Sequence, residues 1–517
     1  MSTSEPVTRA DEPAQHDSDT QRLHQLGYAQ ELARHMSGFS NFAVSFTIIS
    51  ILSGCLTLYA FGLNTGGPAV IVWGWPIVGL MTLFVGLAMA EVCSSFPTAG
   101  GLYYWAAKLA KKNSAAWSWF TGWFNFLGQV AVTAGIDFGA AFFLNAFLDL
   151  QFGFDTRPWH TILLFGLILL VHGAINQFGV RIVALLNDVS VWWHVVGVAV
   201  IVGVLAFVPD SHQSASFVFT EFVNNTGWQS GLYVALIGLL LAQYTLTGYD
   251  ASAHMTEETR DASVSGPRGI VMSIVVSVIA GWVLLVGLTF AIQSYDNALA
   301  APDTGVPPAQ IFVDAVGVTG GKLLLLIAIG AQLFCGMASV TANSRMIYAF
   351  SRDGALPASH LWHRINPRTR TPTNAIWLAA GGAFLLGLPY LWNVTAYAAV
   401  TSIAVIGLYI AYVLPTFLRL RQGDDFERGP WHLGRWSRPI GIIAVTWVAF
   451  ITVLFMLPQV SPVTAETFNY TPVAVLVVLG FAGIWWVVSA RTWFTGPKVQ
   501  GSPEELAAAE RELESLA

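Results

Sequence analysis

Charge is the scarcest feature of this chain. Of its 517 residues only 10% are charged and 55% are hydrophobic, against about 25% charged in soluble domains. Mean hydropathy is +0.59. A chain this apolar has too little polar surface to stay dissolved, which leaves the bilayer as its solvent. Cysteine is nearly absent as well. Cys55, Cys93 and Cys335 lie beside apolar segments and none sits in a CxxC pair, which argues against a disulfide framework or a zinc site. No basic run suits nucleic acid. The eleven histidines contain no HExxH, and no Ser/His/Asp or paired-carboxylate set stands out in the apolar segments, so a membrane enzyme is disfavoured. His360 and His363 read as loop residues rather than metal ligands, and no metal is expected. The polar start, with Pro6 and Pro13, lacks the apolar core of a cleavable signal peptide.

What the chain has in excess is apolar length. A spanning helix needs roughly 20 mostly apolar residues. That window finds about twelve spans, near residues 42–63, 69–92, 116–148, 161–178, 182–208, 230–256, 270–292, 322–350, 375–391, 395–418, 440–457 and 472–490. The 20 Trp and 33 Phe fit membrane boundaries and lipid-facing surface. Lys and Arg alternate in density from loop to loop. One set holds Lys108, Lys111, Lys112, Arg181, Arg260, Arg268, Arg352, Arg364 and the arginines from Arg419 to Arg438. The other holds only Arg157, with Lys322 at a helix end. The positive-inside rule then puts both termini in the cytoplasm. Residues 1–25 are expected to be disordered. Ser502 and Glu505 make a capping box for a short terminal helix, with Pro503 at its first position.

Two spans break the membrane pattern. The first carries Ser50, Ser53, Gly54, Cys55 and Thr57 about halfway along, and the sixth carries Tyr244, Thr245, Thr247, Gly248 and Asp250. Irregular backbone at membrane depth is tolerated only where it lines a cavity or is buried in protein. Matched interruptions in two halves of a chain point to a carrier site. Free N–H groups at a half-helix start suit a carboxylate, and free carbonyls at a half-helix end suit an ammonium. A zwitterion fits between them. Ionisable residues inside spans are few: Asp137, His172, His194 and Asp250. They are functional candidates because burying charge there is costly. His194, midway along its span, can take and release a proton near neutrality. Asp137 is expected towards the outer end of its span, partly wet, and His172 is read as structural.

Four passages resemble amino acid permeases of the amino acid–polyamine–organocation superfamily. They are Ser94-Ser95-Phe96-Pro97-Thr98-Ala99-Gly100-Gly101-Leu102-Tyr103-Tyr104-Trp105, the Ser53-Gly54-Cys55 segment, Gly248-Tyr249-Asp250-Ala251-Ser252-Ala253-His254-Met255-Thr256-Glu257-Glu258-Thr259, and the stretch from Ser344 to Pro357. The combination looks most like the amino acid/choline branch, whose members carry 4-aminobutyrate, choline and other amino acids. The likeness covers roughly residues 30–490. It implies an all-α LeuT-like membrane fold with two five-helix inverted repeats at 41–210 and 228–420. Broken helices one and six, two further helices at 438–491, and tails at 1–40 and 492–517 complete that arrangement.

The resemblance also implies roles. Ser53, Gly54 and Cys55 would offer amides to a substrate carboxylate. Tyr244, Thr245 and Thr247, beside Gly248, would offer carbonyls to its amine, with Tyr244 also an aromatic gate. Asp250 falls where relatives carry a proton-responsive acid, and His194 where proton-coupled relatives carry a lysine. Ser339 lies near a hydroxyl ligand of sodium-coupled relatives, and Arg34 with Asp353 would form an inner gate. The resulting reading is a secondary transporter, a plasma-membrane permease for an amino acid or related amine, coupled to protons. The alternatives are an exchanger, or a sodium-coupled carrier of choline or polyamine. More remote are a nutrient sensor, a membrane enzyme and a channel. No cofactor and no protein partner is expected beyond the coupling ion, the substrate and the lipid.

Overall fold

The structure is a computed structural model that describes residues 11–178, 180–393 and 396–515. Among these residues the chain is helical, with three isolated β-bridges and no strand. Eleven helices are long and apolar enough to cross a membrane. They are Gly38–Thr57 as one interrupted unit, Gly67–Ser95, Ser114–Phe152, Pro158–Phe178, the fifth over Val180–Phe207, Ala262–Phe290, Pro307–Arg352, Thr373–Leu391, the tenth from Ala396, the eleventh ending at Leu454, and Thr471–Val488. The sixth segment, Gly231–Thr245, falls short of that length because its winding stops at Leu246. Counting it restores the expected twelve.

Their surroundings explain why these segments stay helical. Backbone groups in lipid have only each other to bond, and the outward faces carry large exposed apolar side chains such as Leu163, Leu476 and Ile484. The third span, the longest apart from the eighth, packs along the eighth and tenth, and the second packs along the seventh. The third is accordingly the most buried span after the broken first one, followed by the tenth and the eighth. The eighth is interrupted at Gly317, whose φ of 74° lies outside the helical region.

The expectation of disorder over residues 1–25 is corrected where the residues are described. Residues 1–10 lie outside them, but Asp11–Leu26 is a helix. It is tied down rather than solvated. Asp19 accepts from the amides of Asp261 and Ala262 at 2.7 and 3.1 Å, and Arg22 donates to the Ser95 carbonyl at 2.9 Å. The terminal helix Pro503–Ser515 carries the expected capping box: Ser502 N donates to Glu505 Oε2 at 2.8 Å and Glu505 N to Ser502 Oγ at 3.3 Å. Leu516, Ala517 and Thr395 lie outside the described residues. The two tails meet, with His24 Nε2 2.7 Å from Glu510 Oε1, so their described parts lie on one face.

Candidate functional site

The first span breaks at Ser50, three residues before the Ser53-Gly54-Cys55 segment. Ser50 is left-handed (φ 32°, ψ 84°) and separates Gly38–Ile49 from Ile51–Thr57. The amides of Ser53 and Gly54 already donate to the Ser50 carbonyl, at 2.8 and 2.9 Å. The residues expected to be unwound therefore form the first turn of the second half-helix. Its open N-terminal end is at Ile51 and Leu52. Gly54 has a packing role: a Cβ there would fall 2.5–2.8 Å from the Thr245 side chain. Only a glycine lets the first and sixth spans approach this closely.

The sixth span unwinds from Leu246 to Asp250 and resumes as the short helix Ala251–His254. Thr247 Oγ1 donates to the Tyr244 carbonyl at 2.7 Å, and Tyr409 donates to the Leu246 carbonyl at 2.5 Å. No hydrogen bond outside regular helix among the described residues reaches the carbonyls of Thr245 and Thr247. Between the breaks lies a cavity of about 10 Å³, walled by Ser53, Gly54, Tyr244, Thr245, Thr247 and Cys335 among others. That is the size of one water. An amino acid enters only if the two spans separate. Cys55 is buried but outside this wall, and Gly248 sits just beyond it against Ile48. A much larger groove, about 580 Å³, lies between the fourth and ninth spans. Its walls are apolar and open sideways at exposed Leu163 and Leu170, away from the two breaks.

Two ionisable residues brace the breaks. His194 Nδ1 is 2.8 Å from the Ser190 carbonyl, which can only accept, so Nδ1 carries a proton. In the neutral ring Nε2 then accepts from Ser50 Oγ at 2.7 Å. A fifth-span imidazole thus holds the residue at which the first span breaks. Asp250 accepts from Tyr412 at 2.6 Å and from Gln129 at 2.7 Å, with His254 Nε2 at 3.2 Å. The Tyr412 hydroxyl in turn accepts from the Gly248 amide at 3.2 Å. His254 escaped the sequence reading although it stands four residues after Asp250. Its Nδ1 donates to the Ala99 carbonyl at 2.9 Å, and a Cβ on Gly101 (φ +47°) would lie 3.2 Å from its ring. The Ala99-Gly100-Gly101 motif is therefore the seat for the lower half of span six.

The expected inner gate is corrected. Arg34 and Asp353 do not pair. Arg34 donates to the carbonyls of Thr256, at 3.0 Å, and Thr259, and lies 4.0 Å from Asp19. Asp353 accepts from Tyr103 at 2.7 Å, Tyr28 at 3.1 Å and the Lys498 amide at 3.0 Å. Burial pushes the Asp353 carboxyl above its ordinary value, against the downward pull of Arg352 and these donors. Buried ion pairs at this end of the sixth and eighth spans are instead Arg345–Glu258 at 2.7 Å and Arg352–Glu257 at 3.1 Å. All four residues stand in the family motifs, but no local spacing pairs a sixth-span acid with an eighth-span base. Ser339 stands on the eighth span, its hydroxyl bonded to Thr133 of the third at 2.8 Å. Asp137, expected to be partly wet, is fully buried, with Oδ1 3.1 Å from His172 Nδ1.

Comparison with known proteins agrees with this geometry. The profile of the amino acid permease family matches residues 36–481. Amino-acid permease BAT1 of Arabidopsis thaliana is 45% identical over 498 residues, covering 93% of this chain and 96% of that protein. Its homolog in Oryza sativa subsp. japonica is 46% identical with the same coverage. An uncharacterized amino-acid permease of Schizosaccharomyces pombe is 32% identical, covering 93% of this chain and 90% of its own. Twelve apolar segments, two of them broken around a closed cavity, and this likeness along nearly the whole length lead to one conclusion: the chain belongs to the amino acid permease family and is a multi-pass membrane transporter of amino acids.

Proposed function

We propose that the chain is a proton-coupled amino acid carrier of the plasma membrane, working by alternating access with both termini in the cytoplasm. The observation that supports it best is the approach of two broken helices at Gly54 and Thr245 over a cavity too small for substrate. Such a site must open to one side or the other to load. The Lys and Arg bias supports the orientation, since the face carrying both termini is the basic one. His194 supports the coupling. Protonation would turn its Nε2 from acceptor to donor and reverse the hydrogen bond at Ser50, where the first span changes direction.

The test uses purified protein in proteoliposomes with an imposed pH gradient and a mixture of radiolabelled amino acids with 4-aminobutyrate. Wild-type protein accumulates label when the outside is acidic. His194→Gln is expected to retain counterflow to within about threefold and to lose gradient-driven accumulation by about tenfold or more. Accumulation by His194→Gln equal to wild type removes His194 from the coupling role. Accumulation that follows a sodium gradient instead would sink the proton reading, and label that only exchanges, with no gradient dependence, would make the protein an exchanger.

A further inference from the structure

Three buried aspartates can be compared by the company they keep. Asp250 has Tyr412, Gln129 and His254 around it, and Asp353 has Tyr28, Tyr103 and the Lys498 amide. Asp137 has no such donors. Among the described residues neither of its oxygens has a hydrogen-bond partner, and His172 Nδ1 faces Oδ1 at 3.1 Å without forming an aligned bond. The two residues belong to the third and fourth spans and are packed against the eighth. A Cβ on Gly336 would fall 1.7 Å from Asp137 Oδ1 and 2.7 Å from His172 Cε1, so glycine at 336 is what admits the pair. One turn away, Gln332 is buried with both amide atoms unpartnered among the described residues.

The pair also adjoins the substrate cavity. Ile136 and Cys335, the chain neighbours of Asp137 and Gly336, both line it. The titratable groups facing Asp137 are His172 from the fourth span, Tyr244 from the sixth and Cys335 from the eighth, with Tyr397 of the tenth against Tyr244. Among the described residues His172 is its one basic partner.

We propose that Asp137 and His172 together form a proton-binding site of the transport cycle, a site separate from His194 and Asp250. A buried carboxylate held by several donors has its charged form favoured by them. One whose charge is balanced by a titratable base alone must take up a proton, on itself or on that base, to remain in an apolar bundle. With one proton the pair is neutral overall, either as acid beside neutral imidazole or as carboxylate beside imidazolium. Without it the pair carries −1. Separation of the first and sixth spans moves Tyr244 and opens the wall beside Cys335, which is the step at which water and the proton reach the pair. The inference rests on the carrier reading but not on the role of His194.

The full chain in proteoliposomes, with a trapped pH dye and the same radiolabelled mixture, tests it. Wild-type protein is expected to show counterflow together with substrate-linked proton movement. Asp137→Asn, which keeps the shape, should retain counterflow to within about threefold and lose the proton signal about tenfold or more, with a flattened pH profile. A purely structural pair would instead lower melting temperature and leave the pH profile unmoved. His172→Gln should shift the midpoint of the profile, and it decides the matter if Asp137→Asn fails to assemble. Wild-type proton movement and pH profile in these variants would overturn the proposal. So would counterflow by wild-type protein with no proton movement. Absence of counterflow in wild-type protein would sink the carrier reading itself. Infrared pH-difference spectra then still decide the site, by whether the band of a protonated buried carboxyl disappears in Asp137→Asn.

Discussion

Gly248→Ala is expected to lower uptake by about a hundredfold. Gly248 has φ +89° in the unwound segment of the sixth span, and an L-residue held there is strained by about 1–3 kcal/mol. The added Cβ would also lie 2.2 Å from Ile48 Cγ2. Ile48 sits in the last turn before the Ser50 break, and its β-branched side chain has little rotamer freedom to yield. Overpacking of this kind costs about 1–3 kcal/mol. The strain must be relieved where the chain is irregular, which displaces the Gly248 amide from Tyr412 and with it the hydrogen bonds around Asp250. About 2.7 kcal/mol lost in this way is a hundredfold in rate. Removing the clash by Ile48→Ala in the same chain should recover about tenfold, leaving only the backbone strain. Initial rates of uptake at matched protein amounts measure both. Wild-type transport by the single variant would show that the unwound segment tolerates a helix-like backbone, contrary to the geometry of the break.

The second large effect concerns the ion pairs at the face of the two termini. Arg345→Ala is expected to destabilise the protein by about 3–5 kcal/mol, because it leaves Glu258 as a buried charge without its counter-ion. Both residues are essentially unexposed, and two contacts join them, Nε to Oε1 at 2.7 Å and Nη2 to Oε2 at 3.4 Å. Arg345→Lys should also be weak, since an ammonium cannot reproduce the two-pronged contact. The double variant Arg345→Met with Glu258→Gln should recover most of the loss, because no net charge is then stranded. Thermal melting in detergent separates these outcomes. Melting of Arg345→Ala at the wild-type temperature would show that Glu258 is solvated in the purified protein and that the pair does not close this face. The pair also bears on transport. It ties the eighth span to the end of the sixth, so opening towards this face requires the contact to break.

How far the site could be read beforehand depended on range. Hydropathy located most spans to within a few residues, because a run of apolar side chains and the bilayer thickness are both properties of a continuous segment, but the seventh helix begins at Ala262 rather than 270 and the eighth at Pro307 rather than 322. The sixth span was placed correctly and its interruption expected, since Gly248 stands beside Thr247 and Asp250 in a stretch that is otherwise apolar. The break in the first span was expected at Ser53–Cys55 and occurs at Ser50. Small residues mark where backbones approach as well as where they unwind, and Gly54 does the former against Thr245. Arg34 and Asp353 failed as a pair for a related reason. Charge at a helix end says that a partner is needed, but not which of several basic and acidic ends the packing will bring near. His172 was set aside because a lone histidine carries no spacing signal, and its partner lies on another helix.

The sequence alone determined that this chain lives in a bilayer, roughly where its spans lie, and that its first and sixth spans break. All three are dictated by local composition acting against a solvent that cannot bond to backbone. Tertiary structure decided which ionisable groups meet: His194 with Ser50, Asp250 with His254 and Tyr412, Glu258 with Arg345, and Asp137 with His172. Each of these contacts joins groups whose fit depends on distances of about 3 Å. Such distances are set by glycines such as Gly54, Gly101 and Gly336, and by the packing of helices that are far apart along the chain.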